Sequence, residues 1–210
     1  ILQARKLAPA LAVGCTTVSR PASQTPLCLI RLFEIFEEVD LPPGVVNLVA
    51  GPAQPLMNEF MENRICRKIS FTGSTEVGKE LMRQASNQMK RLSLELGGHA
   101  PVIIFPDVDI EAIAKVSVIG KFRNNGQVCI CPTRFYAHHS IAKDYIEACV
   151  EETKQLKLGN GLDPGVNIGP MFEAKALEKV DRIVQDARDK GASCLLGGER
   201  SSRFEKGYFY

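Results

Sequence analysis

Three stretches of the chain carry residue types whose chemistry and spacing point to a ligand or a reaction. The first is Phe71-Thr72-Gly73-Ser74-Thr75-Glu76-Val77-Gly78-Lys79-Glu80. Glycine lets a ligand approach the backbone closely, and a helix starting near Thr75 aims unpaired amides at an anion, which is one reading of this loop. A helix capped by Ser74 after a tight turn is the other. The same residues narrowly miss the phosphate-loop pattern G-x-x-x-x-G-K-[ST]. Glu80 stands where a magnesium-holding hydroxyl is needed, and no Asp-ended apolar strand offers a second holder, so triphosphate hydrolysis is only a runner-up.

The second stretch, Leu92-Ser93-Leu94-Glu95-Leu96-Gly97-Gly98, sets a carboxylate at the end of an apolar strand. Partly buried in a cleft, Glu95 would suit general-base work; a strand-end salt bridge is the plainer reading. The third is Lys121-Phe122-Arg123-Asn124-Asn125-Gly126-Gln127-Val128-Cys129-Ile130-Cys131-Pro132. A thiol in a polar turn beyond a helix has the exposure a nucleophile needs, with Arg123 close by in sequence. Two ordinary strand cysteines would read the same way. A metal site from Cys129, Cys131, His138 and His139 is disfavoured, because Cys-x-Cys with adjacent histidines is not a zinc spacing and neighbouring strand residues face opposite sides. No metal is expected.

The elements that position these stretches follow from apolar periodicity. Helical spacing runs over 1–13, stopped by Gly14, and over 27–39, closed by Leu41-Pro42-Pro43-Gly44. Short strands are expected at 16–20 and 45–50, a helix at 55–63, a strand at 68–72 and a helix at 75–87. After a strand at 91–96, the pattern restarts with a strand at 101–105, a helix at 110–123 and a strand at 134–138. Helices at 142–156 and 173–190 follow, and Cys194-Leu195-Leu196 reads as a last short strand. Repeated β-α-β units with apolar strands define an α/β fold, an open and mostly parallel sheet with helices on both faces. The break at Gly97-Gly98 divides it into 1–97 and 98–210. Ligands of such sheets gather at the carboxyl ends of strands.

Composition narrows the function classes. The 210 residues hold 26 Lys plus Arg against 24 Asp plus Glu, a net charge of +2, so no nucleic-acid partner is expected from bulk charge. Hydrophobic residues at 45% and charged residues at 24% are ordinary globular usage. No apolar stretch approaches the roughly 18 residues that cross a bilayer, so no membrane partner is expected. The chain opens on Ile1 with no leader pattern and is expected to be part of a longer protein. Seven cysteines without a CxxC pair argue against a disulfide-stapled secreted module and for a reduced, cytoplasmic setting, an organelle matrix being the other option. Cys15, Cys28, Cys149 and Cys194 have apolar neighbours and are expected in the core, while Cys66 is open.

The three stretches, in this order, resemble the NAD(P)-dependent aldehyde dehydrogenase superfamily. The likeness extends through Lys6-Leu7-Ala8-Pro9-Ala10-Leu11-Ala12, Leu41-Pro42-Pro43-Gly44-Val45-Val46-Asn47 and Asn167-Ile168-Gly169-Pro170. Lys121-Phe122-Arg123-Asn124 with Cys129-x-Cys131 is most similar to the succinate- and glutarate-semialdehyde dehydrogenase branch. The resemblance implies a Rossmann-like cofactor domain at 1–97 joined to an α/β catalytic domain at 98–210, both incomplete, with NAD or NADP as cofactor and a carboxylated aldehyde as substrate. Cys129 is implied as the nucleophile that forms a thiohemiacetal and then a thioester, its own amide serving as one oxyanion donor. Glu95 is implied as the base that activates the hydrolytic water. Arg123 and Gln127 are implied on the substrate side, the guanidinium fork matching a remote carboxylate.

On the cofactor side the resemblance assigns Gly73, Ser74, Thr75 and Gly78 to the pyrophosphate and Leu96 to the nicotinamide end. Arg20 stands where the family usually has a Lys facing the adenosine ribose, and Ser23 where NAD-strict members often have Glu. Loss of that carboxylate removes repulsion toward a 2′-phosphate, so NADP is expected to be accepted alongside NAD. Cys131 could close a small, strained disulfide with Cys129 and silence it reversibly, or simply pack in a strand. Family members are longer, and a segment before Ile1 with a second oxyanion donor, a Glu-x-Phe-Gly-Pro segment and an oligomerisation strand are expected outside these residues. A homodimer or homotetramer is implied for the whole protein. The competing expectation is a truncated, non-catalytic homologue that at most binds a nucleotide or a partner.

Overall fold

Every pair of hydrogen-bonded strands in this chain is linked through a helix, and that connection makes each pairing parallel: the chain must cross back over the strands before it can re-enter from the same end. The computed structural model describes residues 1–210, which divide into two units, Ile1–Leu96 and Gly97–Tyr210.

In the first unit, α1 (Ala4–Ala12) precedes β1 (Thr17–Ser19), α2 (Leu27–Glu38) and β2 (Val46–Leu48). Gly14, at φ +76, takes the left-handed turn that ends α1. Then α3 (Ala53–Glu62) leads to β3 (Lys68–Thr72), α4 (Thr75–Ala85) and β4 (Arg91–Glu95). Strand β1 pairs with β2 from Thr17↔Val46 to Ser19↔Leu48, and β3 with β4 from Lys68↔Arg91 to Thr72↔Glu95. Met61, Ile69, Leu81 and Ala85 form the buried cluster, with Leu81 only 1% exposed. Helix α4 contributes Gly78, Leu81 and Ala85 to its buried stripe, a spacing that keeps all three on one helical face.

The second unit contains β5 (Ala100–Ile104), α5 (Ile110–Phe122), β6 (Pro132–Ala137), α6 (Ala142–Lys154) and α7 (Ala174–Asp189). Asp109 caps α5, its carboxylate accepting the Ala112 amide at 3.1 Å. Strands β5 and β6 pair in parallel with an irregularity between Ala100 and Pro101, which face Pro132 and Arg134 and leave Thr133 out of register. Ile104, Ala114, Ile141 and Tyr145 form this unit's core. The buried Tyr145 hydroxyl donates to Ser117 Oγ at 2.9 Å, so α5 and α6 share a satisfied polar pair inside apolar packing.

The α/β class and parallel pairing match expectation, but the strands form three separate two-stranded sheets, because no strand is hydrogen-bonded between one crossover pair and the next. Cys194-Leu195-Leu196 is not a strand. The Cys194 thiol turns back on the carbonyls of Leu196 and Gly197, and Gly197 and Gly198 sit at φ +62 and +75, so the segment bends instead of extending. Cys15, Cys28 and Cys194 are exposed, against the expectation that they pack in the core; apolar neighbours in sequence do not set which way a helix or turn faces. Cys149 and Cys66 are half-buried, each against the core of its own unit. No helix is long and apolar enough to cross a membrane.

Burial pushes the Tyr145 phenol from its ordinary value of 10.0 up to about 12. The folded state therefore holds this proton more tightly than the unfolded chain, a stabilisation complete below pH 10 that is lost as pH rises toward about 12. Denaturant titrations of Tyr145→Phe should show about 1–3 kcal/mol lower stability at neutral pH, because Ser117 Oγ loses its partner. The variant should also lose less stability than wild type between pH 10 and 12; equal alkaline losses in both proteins would contradict the assignment.

Candidate functional site

The carboxyl ends of β3 and β4 are joined by a backbone bond, the Gly73 amide donating to the Glu95 carbonyl at 3.1 Å. Ser74 caps α4, its hydroxyl accepting the Val77 amide at 3.3 Å, so the capping reading of this loop holds. Thr75 opens the helix directly behind that cap. A Cβ on Gly73 would stand 2.3 Å from the Phe71 ring, and one on Gly78 would stand 2.7 Å from Leu96 Cδ2. Glycine at both positions lets an apolar side chain close against the loop. Immediately before Gly73 lies an unexpected feature: Thr72 Oγ1, at the end of β3, is buried and has no hydrogen-bond partner.

Lys6 carries no motif of its own, yet its ammonium donates to Ser70 Oγ at 3.1 Å, tying α1 to β3. Burial pushes that ammonium below its ordinary value, and the charge of Glu95 partly restores it. Glu95 itself is exposed, where partial burial was expected.

A second group lies beyond β1 and β2. Arg20 Nη2 donates to Ser23 Oγ at 2.8 Å and Arg20 Nε to the Gly51 carbonyl at 3.2 Å. These residues, with Pro21, Pro26 and Ala50, line a pocket of about 330 Å³. The contribution of Gly51 was missed because a backbone carbonyl leaves no residue-type signal.

The third group belongs to the second unit. After α5 the backbone turns left-handed at three consecutive residues, Asn124 (φ 51), Asn125 (φ 56) and Gly126 (φ 71). Asparagine tolerates this region better than most residues, which accounts for the Asn-Asn-Gly run. Side chains clamp the turn. Asn125 Nδ2 donates to the Gly169 carbonyl at 2.6 Å, Gln127 Oε1 accepts the Phe172 amide at 3.2 Å, and Gln127 Nε2 donates to the Asn124 carbonyl at 3.3 Å. Both ends of the Gln127 amide are therefore engaged, one inside the turn and one with Phe172. The Cys131 amide donates to the Val128 carbonyl at 3.0 Å, which puts Cys129 and Ile130 at the corners of a tight turn.

Cys129 is exposed at that corner, whereas Cys131 is buried at 4% exposure. The Arg123 guanidinium, also exposed, makes no hydrogen bond or ion pair within the chain. His138 and His139 lie past the end of β6 with rings 4.2 Å apart, not on opposite faces of a strand as expected. Cys129, Cys131, His138 and His139 are not gathered as ligands, and the chain holds no group of three or more side chains able to share a metal.

Comparisons with known proteins bear on this arrangement. The model of the "Aldehyde dehydrogenase family" matches residues 1–210. Glutarate-semialdehyde dehydrogenase of Pseudomonas aeruginosa is 44% identical over 195 residues, covering 93% of this chain and 40% of that protein. Succinate-semialdehyde dehydrogenase [NADP(+)] of Escherichia coli is 44% identical over 199 residues, covering 95% of this chain and 41% of that protein. Among solved structures, an E. coli NADP-dependent enzyme superposes with a TM-score of 0.94 at 43% identity, covering 98% of this chain and 42% of the other. The chain thus spans about two fifths of the length of the relatives it matches.

The left-handed turn predicts its own sensitivity. A Cβ at Gly126 would stand 3.2 Å from the Lys121 carbonyl at a backbone φ of +71. Urea unfolding of Gly126→Ala should show a loss of about 1–2 kcal/mol, whereas Gly161→Ala, whose Cβ would meet nothing within 4 Å, should change stability by under about 0.5 kcal/mol. Equal effects at both sites would mean the turn carries no strain.

Proposed function

The chain belongs to the aldehyde dehydrogenase family, and from that premise we propose that it carries the nucleophile and the general base of an NAD(P)-dependent oxidation of an aldehyde to a carboxylic acid. The observation that carries this reading is the Cys129 turn: an exposed thiol held at a tight corner by a clamped left-handed loop. Such a thiol is accessible and pre-positioned, the two requirements of covalent catalysis.

Cys129 adds to the substrate carbonyl, and its own amide stabilises the oxyanion that forms. When bound, NAD or NADP supplies the hydride acceptor. Cys129 then retains the acyl group as a thioester, and Glu95 takes the proton of the water that hydrolyses it. The free guanidinium of Arg123 holds a carboxylate at the far end of the substrate, in keeping with the names of the two semialdehyde-oxidising relatives. Gln127 acts by holding the loop, since its amide is already bonded to Asn124 within it and to Phe172 beyond it.

The first unit serves as the cofactor-binding part and the second as the part bearing the nucleophile. Three features fit a dinucleotide: the start of α4 behind Gly73 and Ser74, the unpartnered Thr72 hydroxyl, and the Arg20 pocket. Thr75 and Gly78 shape that helix start, and Leu96 closes over Gly78. Arg20 is oriented by neutral acceptors and keeps a whole positive charge for a 2′-phosphate, which favours acceptance of NADP as well as NAD.

Two measurements test the reading. Aldehyde-dependent NAD(P)H formation should be lost in Cys129→Ser and fall at least 10²-fold in Glu95→Gln, with the acyl-enzyme accumulating; this is read both in the 210-residue chain and in a protein of the relatives' full length. In the chain alone, iodoacetamide should label Cys129, and succinate semialdehyde should slow that labelling more than butanal does. Arg123→Ala should erase the difference, and an aldehyde-insensitive Cys129 would sink the proposal. For the cofactor, Ser23→Glu should weaken NADP at least tenfold relative to NAD by fluorescence titration; an unchanged ratio would remove the 2′-phosphate assignment.

A further inference from the structure

Cys131 takes no part in the proposed reaction, yet its sulfur is set directly against an amine. Lys121 Nζ lies 3.6 Å from Cys131 Sγ, and the thiol's remaining contacts are the carbonyls of Lys121 at 3.4 Å and Pro132 at 3.5 Å. A glycine makes room for this cluster: a Cβ at position 126 would stand 3.6 Å from both Cys131 Sγ and Lys121 Nζ. Lys121 forms no ion pair, so no carboxylate draws its head group elsewhere. Its side chain is half-buried at the end of α5, and Cys131 is 4% exposed at the entry to β6.

We propose that Lys121 and Cys131 form a redox modification site, in which a peroxide drives closure of a covalent nitrogen–sulfur bridge between the two side chains. The Cys131 sulfur attacks one peroxide oxygen, the O–O bond breaks, and a sulfenic acid and one water result. Lys121 releases a proton to solvent, its nitrogen lone pair attacks the sulfenic sulfur, and the S–O bond breaks as a second water leaves. The sulfur is oxidised by two electrons and one peroxide is reduced to two waters.

Position explains why the amine captures the sulfenic acid. Burial of Cys131 keeps bulky thiols such as glutathione away, whereas Lys121 is already close to the reach of a near-attack arrangement. The flexible four-carbon stem of lysine absorbs the remaining movement. Cys129, exposed at the turn corner, takes no part in the nitrogen–sulfur bridge. The bridge would close a ring from residue 121 to 131 around the loop that carries Cys129, and it would shield Cys131 from further oxidation. None of this depends on the proposed catalytic activity.

Peroxide treatment of the purified chain followed by tryptic peptide mapping tests the site. The expected product is segment 116–123, uncut after Lys121, joined to segment 124–134 and lighter than their sum by the lost pair of hydrogens. Dithiothreitol should release it, and Cys129 in the same product should still react with iodoacetamide. Lys121→Arg keeps the charge but removes the nucleophilic amine, so the cross-link should disappear and Cys131 should advance to sulfinic acid. A Cys129–Cys131 disulfide as the only oxidised product in wild type, or Cys131 oxidised with Lys121 still cleaved normally, would overturn the proposal without any need for the variant.

Discussion

A parallel strand pair cannot be closed by a short turn, and this constraint organises the whole chain. Each of the three pairs needs a crossover helix, and each crossover leaves the two carboxyl ends side by side. At β3 and β4 that leaves the Gly73 amide and the Glu95 carbonyl facing each other across a 3.1 Å hydrogen bond. The same closeness allows Leu96 to lie over Gly78. At β1 and β2 it lets the Gly51 carbonyl reach the guanidinium of Arg20. Residues far apart in sequence become neighbours because the topology allows no other outcome.

The loop that carries Cys129 obeys a different rule, since it lies between a helix and a strand and not at a strand's carboxyl end. Its shape comes from strain that the surroundings hold in place. Three left-handed residues in a row would relax in an isolated peptide, at a cost of about 1 kcal/mol or more for each Asn kept there. Bonds to Gly169 and Phe172 reach across more than 40 positions to hold them, with separations of 44 and 45 residues. The loop is therefore a tertiary feature, and its geometry depends on the segment around Asn167-Ile168-Gly169-Pro170.

That difference explains what could be read from the amino-acid order. Strand β3 was expected at 68–72 and is found at Lys68–Thr72, because alternation and flanking turn residues are local signals. Helix α4 likewise starts at Thr75 behind its Ser74 cap. The residue types at the site were equally legible: a strand-end carboxylate, a thiol in a polar turn, glycines before a helix. Their bonding was not. Gln127 reads as a substrate contact by position, yet its amide is consumed by Asn124 and Phe172. Lys6 carries no motif, and its burial near Glu95 arises only once α1 packs on β3. The apolar triplet Cys194-Leu195-Leu196 looked like a strand because periodicity cannot report the absence of a pairing partner.

The same distinction between residue type and bonding decides how the charges should be read. Arg31 and Arg83 spend their charge on glutamates of their own helices, pairs that contribute little in water and leave no field for a ligand. Arg20 is fixed as firmly, but by a serine hydroxyl and a backbone carbonyl, which orient the fork without neutralising it. A Glu at position 23 would fix the same guanidinium and cancel it, and the pocket would then repel a phosphate. Serine at 23 thus separates two tasks that an acidic residue would merge, holding the cation still and leaving its charge unspent. Arg123 differs again, with its charge free and its side chain unfixed, so any anion that met it would bear the cost of ordering it. A carboxylate that met this guanidinium with two oxygens at once would engage both arms of the fork, which a neutral carbonyl cannot do.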